Sequence, residues 1–394
     1  MPASLDIRGR KGTVPLPARR DGPPRVFIIG IGRLGIQVLN GLVSLAPDIE
    51  IIAAGPRRSA LQTRVNVVTL AAMHVRARLP SVTPLALDLL EVEQAAEILA
   101  AQHPDIVVHC ATLHPYAATA QLPPVMRDRL MTAGLGPWLP GHLALTERLM
   151  KALELADVSP VVINCAYPDA VNAALATVGP FPILGAGNLA NNEPALRRAI
   201  GDLTATEVSD VSIEMIMHHY VSHRIHRCGD AGGAPFFLSY TINNHIGDQV
   251  APIDSIFGQL ASRYRRDVGG ENRLIPAAST VALVASLLSD ATRRLHAPGV
   301  NGHIGGYPIR VSCHELAVVL PEGVTTKAAE AINVTAQRFD GIDAITSAGE
   351  VIFTPEATEI FAEVIGHTCA GFRVPEAYEW TQELYAHCCE SADG

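Results

Sequence analysis

The stretch Val26-Phe27-Ile28-Ile29-Gly30-Ile31-Gly32-Arg33-Leu34-Gly35 decides the fold. An apolar run typical of a buried strand breaks into the pattern G-x-G-x-x-G, after which apolar residues recur at helical spacing. The first glycine of this pattern permits a tight turn, the second lets the backbone approach a pyrophosphate, and the third lets the helix pack on the strand. The N-terminus of the helix offers free N–H groups to a phosphate. The stretch therefore predicts a dinucleotide site formed by Gly30, Gly32, Arg33, Leu34 and Gly35.

The end of the second predicted strand, Ile49–Ala54, indicates which dinucleotide is bound. About 20 residues past such glycines, an NAD site usually carries an acid for the ribose 2′-hydroxyl. Here the strand runs into Gly55-Pro56-Arg57-Arg58-Ser59, with no acid at its tip. Two guanidiniums and a hydroxyl suit a 2′-phosphate, so we predict that Arg57, Arg58 and Ser59 select NADP over NAD. The alternative is a glycine-rich turn followed by a solvated arginine pair.

Composition excludes several classes of protein. The chain has 394 residues, is 48% hydrophobic and 18% charged, and so predicts a globular protein large enough for two domains. A net charge of -9 gives no electrostatic footprint for nucleic acid. There is no apolar run of membrane-spanning length and no segment of signal-peptide type. Seven cysteines without framework spacing suit reduced thiols, and we expect a cytoplasmic protein.

Strand and helix patterns alternate from Arg25 onward and predict an α/β fold, a Rossmann-type doubly wound parallel sheet followed by a mixed α+β substrate domain. We expect a flexible tail over 1–24, a dinucleotide-binding domain over 25–185, a substrate domain over 186–370 and a C-terminal extension over 371–394. The extension has Trp380 and Tyr385 at near-helical spacing, which indicates a helix that docks on the body.

A long loop follows the predicted strand Ile106–Ala111. Loops at the carboxyl end of a parallel strand are where such sheets bind ligands. We therefore expect Ala111 to contact the dinucleotide, and His114, Arg127 and Arg129 are candidates for a substrate loop.

Several later segments resemble lactate and malate dehydrogenases. Ile163–Asp169 lies where that family has a strand ending in Asn-Pro, and Gly185–Asn192 is similar to its G-x-G-x-x-L-D segment. Ile216–Tyr220 lies at the place of its catalytic histidine. Gly305–Ile309 and Ala317–Gly323 resemble its late hairpin. The resemblance covers most of residues 25–366 and rests on short motifs in the same order. It implies an oxidoreductase that forms a homodimer or homotetramer.

By this resemblance, Asn164 would bind the nicotinamide ribose or the substrate carbonyl, and His219 would donate and accept the proton. An imidazole suits that role because its pKa lies near working pH. We place His219 and His218 on a strand, where they would point to opposite faces, so a shift of one residue would exchange them.

Two family residues are missing. The position of the aspartate that orients the histidine corresponds to Asn192, and that of the substrate-binding arginine to Ala195. Glu193 could replace the acid, and Arg197 could reach the pocket from the next turn. We therefore expect a substrate other than a simple 2-hydroxy acid. Hydride would be transferred to or from the carbonyl or imine carbon of a small polar metabolite.

Other interpretations stay open. His218, His219, His223, His226 and Cys228 are dense enough to suggest a metal site, although we predict none, and Cys165 could be a redox nucleophile. Proteins of this fold also use a bound dinucleotide for transient oxidation in a non-redox glycosidase- or lyase-type reaction. A non-catalytic NADP-binding sensor is the third hypothesis.

Overall fold

The computed structural model describes residues 13–14, 16, 22–45, 48–113, 122–243, 245–246, 251–266 and 273–393. Within the predicted tail, a short strand β1 (Thr13–Val14) pairs antiparallel with Leu316 and Ala317 of the second half. These two residues therefore belong to a sheet, and most of the predicted tail over 1–24 lies outside the described residues.

Six parallel strands form the central sheet of the first half. Their order is β4-β3-β2-β5-β6-β7, so the chain starts in the middle, builds outward to one side and then returns to build the other. Ligands bind at the carboxyl ends of strands where the order reverses, here between β2 and β5. The strands are β2 (Arg25–Ile29), β3 (Glu50–Gly55), β4 (Ser81–Ala86), β5 (Ile106–His109), β6 (Val161–Asn164) and β7 (Leu184–Gly185).

Helices cover both faces of this sheet, because β2, β5 and β6 are apolar runs buried on both sides. The helices of the first half are α1 (Arg33–Leu45), α2 (Arg58–Met73), α3 (Val92–Gln102), α4 (Pro124–Met131), α5 (Leu139–Leu155) and α6 (Pro168–Leu175).

The second half contains antiparallel sheets. Their orders are β10-β9-β8, β1-β13-β12-β11 and β14-β15-β16, and a single bridge between Met217 and Gly306 links the first two. The strands are β8 (Val211–Ile216), β9 (Phe237–Ile242), β10 (His245–Ile246), β11 (Arg293–Pro298), β12 (Gly306–Val311), β13 (Leu316–Val318), β14 (Ile342–Ile345), β15 (Glu350–Phe353) and β16 (Gly371–Arg373).

Seven helices pack around these sheets in the described part of the chain: α7 (Leu189–Thr204), α8 (His219–Cys228), α9 (Ile253–Ala261), α10 (Leu274–Leu287), α11 (Thr326–Ala336), α12 (Pro355–Ile365) and α13 (Ala377–Asp393). Within the described ranges, none of the helices is both long and apolar enough to cross a membrane.

The two halves share a hydrophobic core. Leu39 and Leu42 of α1 lie in one cluster with Leu283 and Val284 of α10. The helices pack so closely that a Cβ added to Gly41 would lie 2.7 Å from Val281. The predicted fold class is thus confirmed, and the second half packs directly on the first.

The C-terminal extension docks as a helix, as predicted. Leu384 and Cys388 of α13 are buried against Trp138 and Phe361, whose rings meet edge to face at 5.0 Å. This contact joins α13 to both halves, since Trp138 precedes α5 and Phe361 belongs to α12.

Candidate active site

The glycine turn between β2 and α1 is tight and closely packed. Gly30 has φ +91°, and a Cβ there would lie 2.7 Å from the backbone N of Ala111. A Cβ on Gly35 would collide with the carbonyl of Gly30, whereas one on Gly32 would meet nothing within 4 Å. The turn and the close packing thus belong to Gly30 and Gly35, and the space in front of Gly32 is open. The turn at Gly30 and the close packing at Gly35 are as the motif predicts, and the phosphate contact at Gly32 stays a prediction.

The residues around this turn fit a dinucleotide. Neither α1 nor α2 has an acid in its first turn, so nothing in either turn repels a phosphate. Arg57, Arg58 and Ser59 are exposed where β3 leads into α2. Among the described residues, neither arginine forms an ion pair with a carboxylate. These side chains could therefore hold an anionic group at the tip of β3.

A helix begins at His219, where we predicted a continuing strand. β8 ends at Ile216, and the Nδ1 of His218 accepts a hydrogen bond of 3.3 Å from the backbone N of Tyr220, which caps α8. Capping satisfies one of the free N–H groups of the first turn. The two histidines therefore do not lie on opposite faces of a strand, because His218 is the cap and His219 is the first residue of the helix.

His218 is unsuited to exchange protons with a ligand. Its side chain is completely buried, and burial lowers its pKa to about 4, while the nearby Asp340 carboxylate only partly opposes this. His218 thus remains a neutral capping residue.

His219 is held by a buried carboxylate. Its Nδ1 lies 2.7 Å from Oδ2 of Asp340, and the same oxygen accepts a 2.7 Å hydrogen bond from the hydroxyl of Tyr167. The other oxygen of Asp340 accepts a 3.0 Å hydrogen bond from the backbone N of Leu135. An ionised carboxylate only accepts hydrogen bonds, so Nδ1 carries the proton and Nε2 is left to exchange one.

The pair is electrostatically coupled. Burial disfavours the charge on His219, but the charge of Asp340 and its hydrogen bond outweigh burial and raise the pKa of His219. Burial likewise disfavours the charge on Asp340, but His219 and the hydrogen bonds hold the pKa of Asp340 below its usual value. The coupling with Asp340 thus favours the protonated form of His219, which is the form that a general acid needs.

A cavity of about 820 Å³ opens in front of His219. Asp340 is the only carboxylate among its described lining residues, and both of its oxygens already form hydrogen bonds within the protein. The ring of His223 stacks on that of His219, with centroids 5.6 Å apart. The described lining also includes five arginines, namely Arg224, Arg227, Arg265, Arg266 and Arg273.

Arg266 is the partly buried cation of this cavity. Burial lowers its pKa to about 10, and its guanidinium donates to the side-chain oxygen of Asn192. An amide does not neutralise a guanidinium, so Arg266 presents an uncompensated positive charge to the cavity among the residues that the structure describes. Arg224, by contrast, is paired with Asp230 at 2.6 Å.

Asn192, at the position of the family's orienting acid, forms no hydrogen bond to His219 among the described residues. Its side-chain nitrogen donates to the carbonyl and the hydroxyl of Ser222, both at 2.9 Å, and so ties α7 to α8. Glu193 does not replace the acid either, because it pairs with His296 at 2.9 Å. The orienting acid is Asp340.

Arg197 does not reach the cavity. It donates to the carbonyl of Val208 at 2.9 Å, on the side of α7 that faces β8, and the cavity lining lacks it. Asn164 is also unavailable, because it is fully buried and its side chain bonds to the backbone of Ala166 and to Asn172. Its role is to shape the turn that leads to Tyr167.

The remaining candidates are not among the described residues that line the cavity. Arg129 pairs with Glu363 on the surface at 3.0 Å, Arg127 lies on α4 outside the cavity lining, and His114 falls outside the described residues. Cys165 is a free thiol 3.8 Å from the hydroxyl of Thr280.

Sequence comparison alone finds nothing: no protein-family model and no curated protein matches the chain. Solved structures do match. Lactate dehydrogenase from Eimeria maxima, solved with NADH and oxamate, has a TM-score of 0.55 at 15% identity, over 82% of this chain and 93% of that one. The chain has the lactate and malate dehydrogenase fold.

Two further structures show the same relation. Lactate dehydrogenase from Cryptosporidium parvum, complexed with lactic acid and nicotinamide adenine dinucleotide, has a TM-score of 0.55 at 14% identity, over 82% and 97% of the two chains. Malate dehydrogenase from Plasmodium falciparum, in complex with NADH, has a TM-score of 0.51 at 12% identity, over 93% of this chain and 99% of that one. At such identity the likeness describes the fold alone.

Proposed function

We propose that the protein is an NADP-dependent oxidoreductase that acts on a carbonyl or imine carbon of a small anionic metabolite. The observation that carries this proposal is the His219–Asp340 hydrogen bond of 2.7 Å in the lining of a basic cavity, where Tyr167 of the segment after β6 also bonds to Asp340. A nicotinamide dinucleotide, when bound, would supply hydride chemistry, for which the structural neighbours solved with NADH give precedent at the level of fold.

His219 would exchange the proton that accompanies the redox step. Asp340 fixes the ring through Nδ1 and stabilises the charged form, so that Nε2 can donate to a carbonyl oxygen or imine nitrogen and take the proton back in the reverse direction. Tyr167 holds the carboxylate in place from the strand end, with the donor hydroxyl 2.7 Å away.

Arg266 would bind an acidic group of the substrate. Its guanidinium is held by Asn192, which in turn anchors α8, the helix that carries His219. The side-chain amide of Asn192 therefore fixes the position of Arg266 relative to the helix that carries His219. Carboxylate and phosphate both suit a guanidinium, and the size of the cavity admits either.

The preference for NADP would come from Arg57, Arg58 and Ser59. A 2′-phosphate at the tip of β3 would meet two guanidiniums without paired acids in the described structure, and one charge-assisted hydrogen bond contributes about 1.5–3 kcal/mol. That energy corresponds to roughly tenfold or more in affinity.

The test is NADPH consumption over a panel of keto acids, phosphorylated carbonyl compounds and imines, with wild type and His219→Asn. We expect turnover with an anionic member of the panel, and a loss of about 10²–10⁴-fold in the variant with NADPH affinity unchanged within a few fold. A fully active variant would remove His219 from this role. A wild type that binds NADPH but turns over none of the panel would favour a sensor instead.

A further inference from the structure

Three potential metal ligands converge on the C-terminal helix, in a place that the proposed reaction does not use. They are His367, which follows α12, and Glu383 and His387 of α13; one ligand atom of each lies within 4.8 Å of the others. Glu383 and His387 are four residues apart on a helix and so share one face. None of the three belongs to the described lining of the cavity at His219.

His367 supplies a buried nitrogen without a hydrogen bond. Its side chain is 5% exposed, and among the described residues its Nδ1 finds no hydrogen-bond partner. This nitrogen lies 3.6 Å from Oε1 of Glu383, too far for a hydrogen bond. A cation between this nitrogen and the carboxylate would satisfy both.

His387 has its ring fixed by a backbone carbonyl. Its Nδ1 lies 3.1 Å from the carbonyl oxygen of Ile365. A carbonyl can only accept, so Nδ1 carries the hydrogen and Nε2 is the ring nitrogen left for a metal ion. Metal-binding histidines almost always donate their other ring nitrogen to a carbonyl, carboxylate or water, which fixes the ring for the metal.

We propose that His367, Glu383 and His387 bind a zinc ion. Two imidazoles and one carboxylate form a set that zinc accepts, with a fourth position for water. The ion would join the segment after α12 to α13, because His367 comes from the first and the other two ligands from the second. It would therefore hold the C-terminal helix on the body of the protein.

A second group of ligand atoms serves as the control. Asp290, Cys313 and His314 also converge, but they are hydrogen-bonded to one another, with Cys313 Sγ 3.0 Å and His314 Nε2 3.1 Å from the same oxygen of Asp290. The side chains of His314 and Asp290 are 73% and 89% exposed. This group offers no buried atom that needs a ligand.

The experiment uses the full chain, freed of metal with a chelator and titrated with zinc chloride against a chromophoric competing chelator. Glu383→Gln and His387→Gln remove one ligand each, and Cys313→Ser/His314→Gln is the matched control. We expect one equivalent of zinc to bind the wild type and the control and to raise their melting temperatures. Loss of an outer-shell partner weakens metal binding about 10–100-fold, and loss of a ligand should weaken it more.

The zinc titrations distinguish the proposed site from the control group and from the absence of a site. Absence of saturable zinc binding at micromolar concentration in the wild type would overturn the proposal, as would wild-type affinity in Glu383→Gln. Binding lost only in the control variant would move the site to Asp290, Cys313 and His314. Melting temperatures measured in chelator verify that each variant is folded, and the readout does not depend on any dehydrogenase activity.

Discussion

At the scale of single residues, one buried carboxylate organises the candidate active site. Asp340 accepts hydrogen bonds from Tyr167, from the backbone of Leu135 and from His219, and these three come from separate parts of the chain. The sequence predicts His219 but not its partner, because the acid lies 121 residues further on, in a short helical turn with no motif of its own. The position where the family resemblance would place that acid holds Asn192, which here anchors α8 and Arg266.

Replacing Asp340 by Asn should shift the pH dependence of the reaction. The carboxylate raises the pKa of His219, so in the variant burial prevails and that pKa falls. In the direction that consumes a proton, the rate of the wild type should fall as pH rises through the pKa of His219, and in the variant this limb should move to lower pH. The rate itself should fall about 10²–10⁴-fold. A pH–rate profile unchanged by the substitution would contradict the pairing.

The same substitution has a consequence for stability. The folded pKa of Asp340 is lowered, so its contribution to the free energy of unfolding is present above its unfolded pKa and is lost as pH falls through the folded value. Asp340→Asn should therefore be less stable than the wild type at neutral pH, a difference that chemical denaturation measures.

At the scale of elements, local sequence predicted the strand–turn–helix unit at residues 25–45 because its signals are local. The apolar run, the three glycines and the helical spacing all lie within one unit, and the structure shows the predicted turn at Gly30 and the predicted close packing at Gly35. The prediction that His218 and His219 lie on a strand is wrong, because histidines carry no strong preference between strand and helix. There the decisive event is the hydrogen bond that His218 makes to the backbone of Tyr220.

The glycine turn provides a matched pair of variants. Gly32→Ala adds a methyl group where nothing lies within 4 Å, so the protein should fold normally, with weaker dinucleotide binding because the methyl intrudes on the phosphate. Gly35→Ala places a methyl against the carbonyl of Gly30 and should lower the melting temperature. Dinucleotide titration and thermal melting distinguish the two, and an unaffected dinucleotide affinity in Gly32→Ala would count against a phosphate at this turn.

At the scale of the whole molecule, the two halves behave as one packed body. α10 of the second half packs on α1 of the first, and β1 pairs with β13 across the described chain. The order of motifs could predict the succession of a parallel and an antiparallel half. The contact between Gly41 and Val281 could not be predicted, since it joins two helices 240 residues apart whose apolar faces look alike in sequence.

Cooperative unfolding is the expected consequence of this shared core. Leu283 is 1% exposed within it, and Leu283→Ala should lower the free energy of unfolding by about 2–5 kcal/mol. Calorimetry should show a single transition that shifts as a whole. Two transitions, of which only one responds to the substitution, would mean that the halves unfold separately.

Dinucleotide titration of the purified protein tests most directly whether the Rossmann half binds NADP. Wild type should bind NADPH roughly tenfold or more tightly than NADH. Arg57→Ala/Arg58→Ala should lose most of that preference by weakening NADPH alone, while Arg64→Ala, an exposed arginine further along α2, should keep it. Binding of neither dinucleotide would contradict the whole account, and equal weakening of both in the double variant would contradict the 2′-phosphate site.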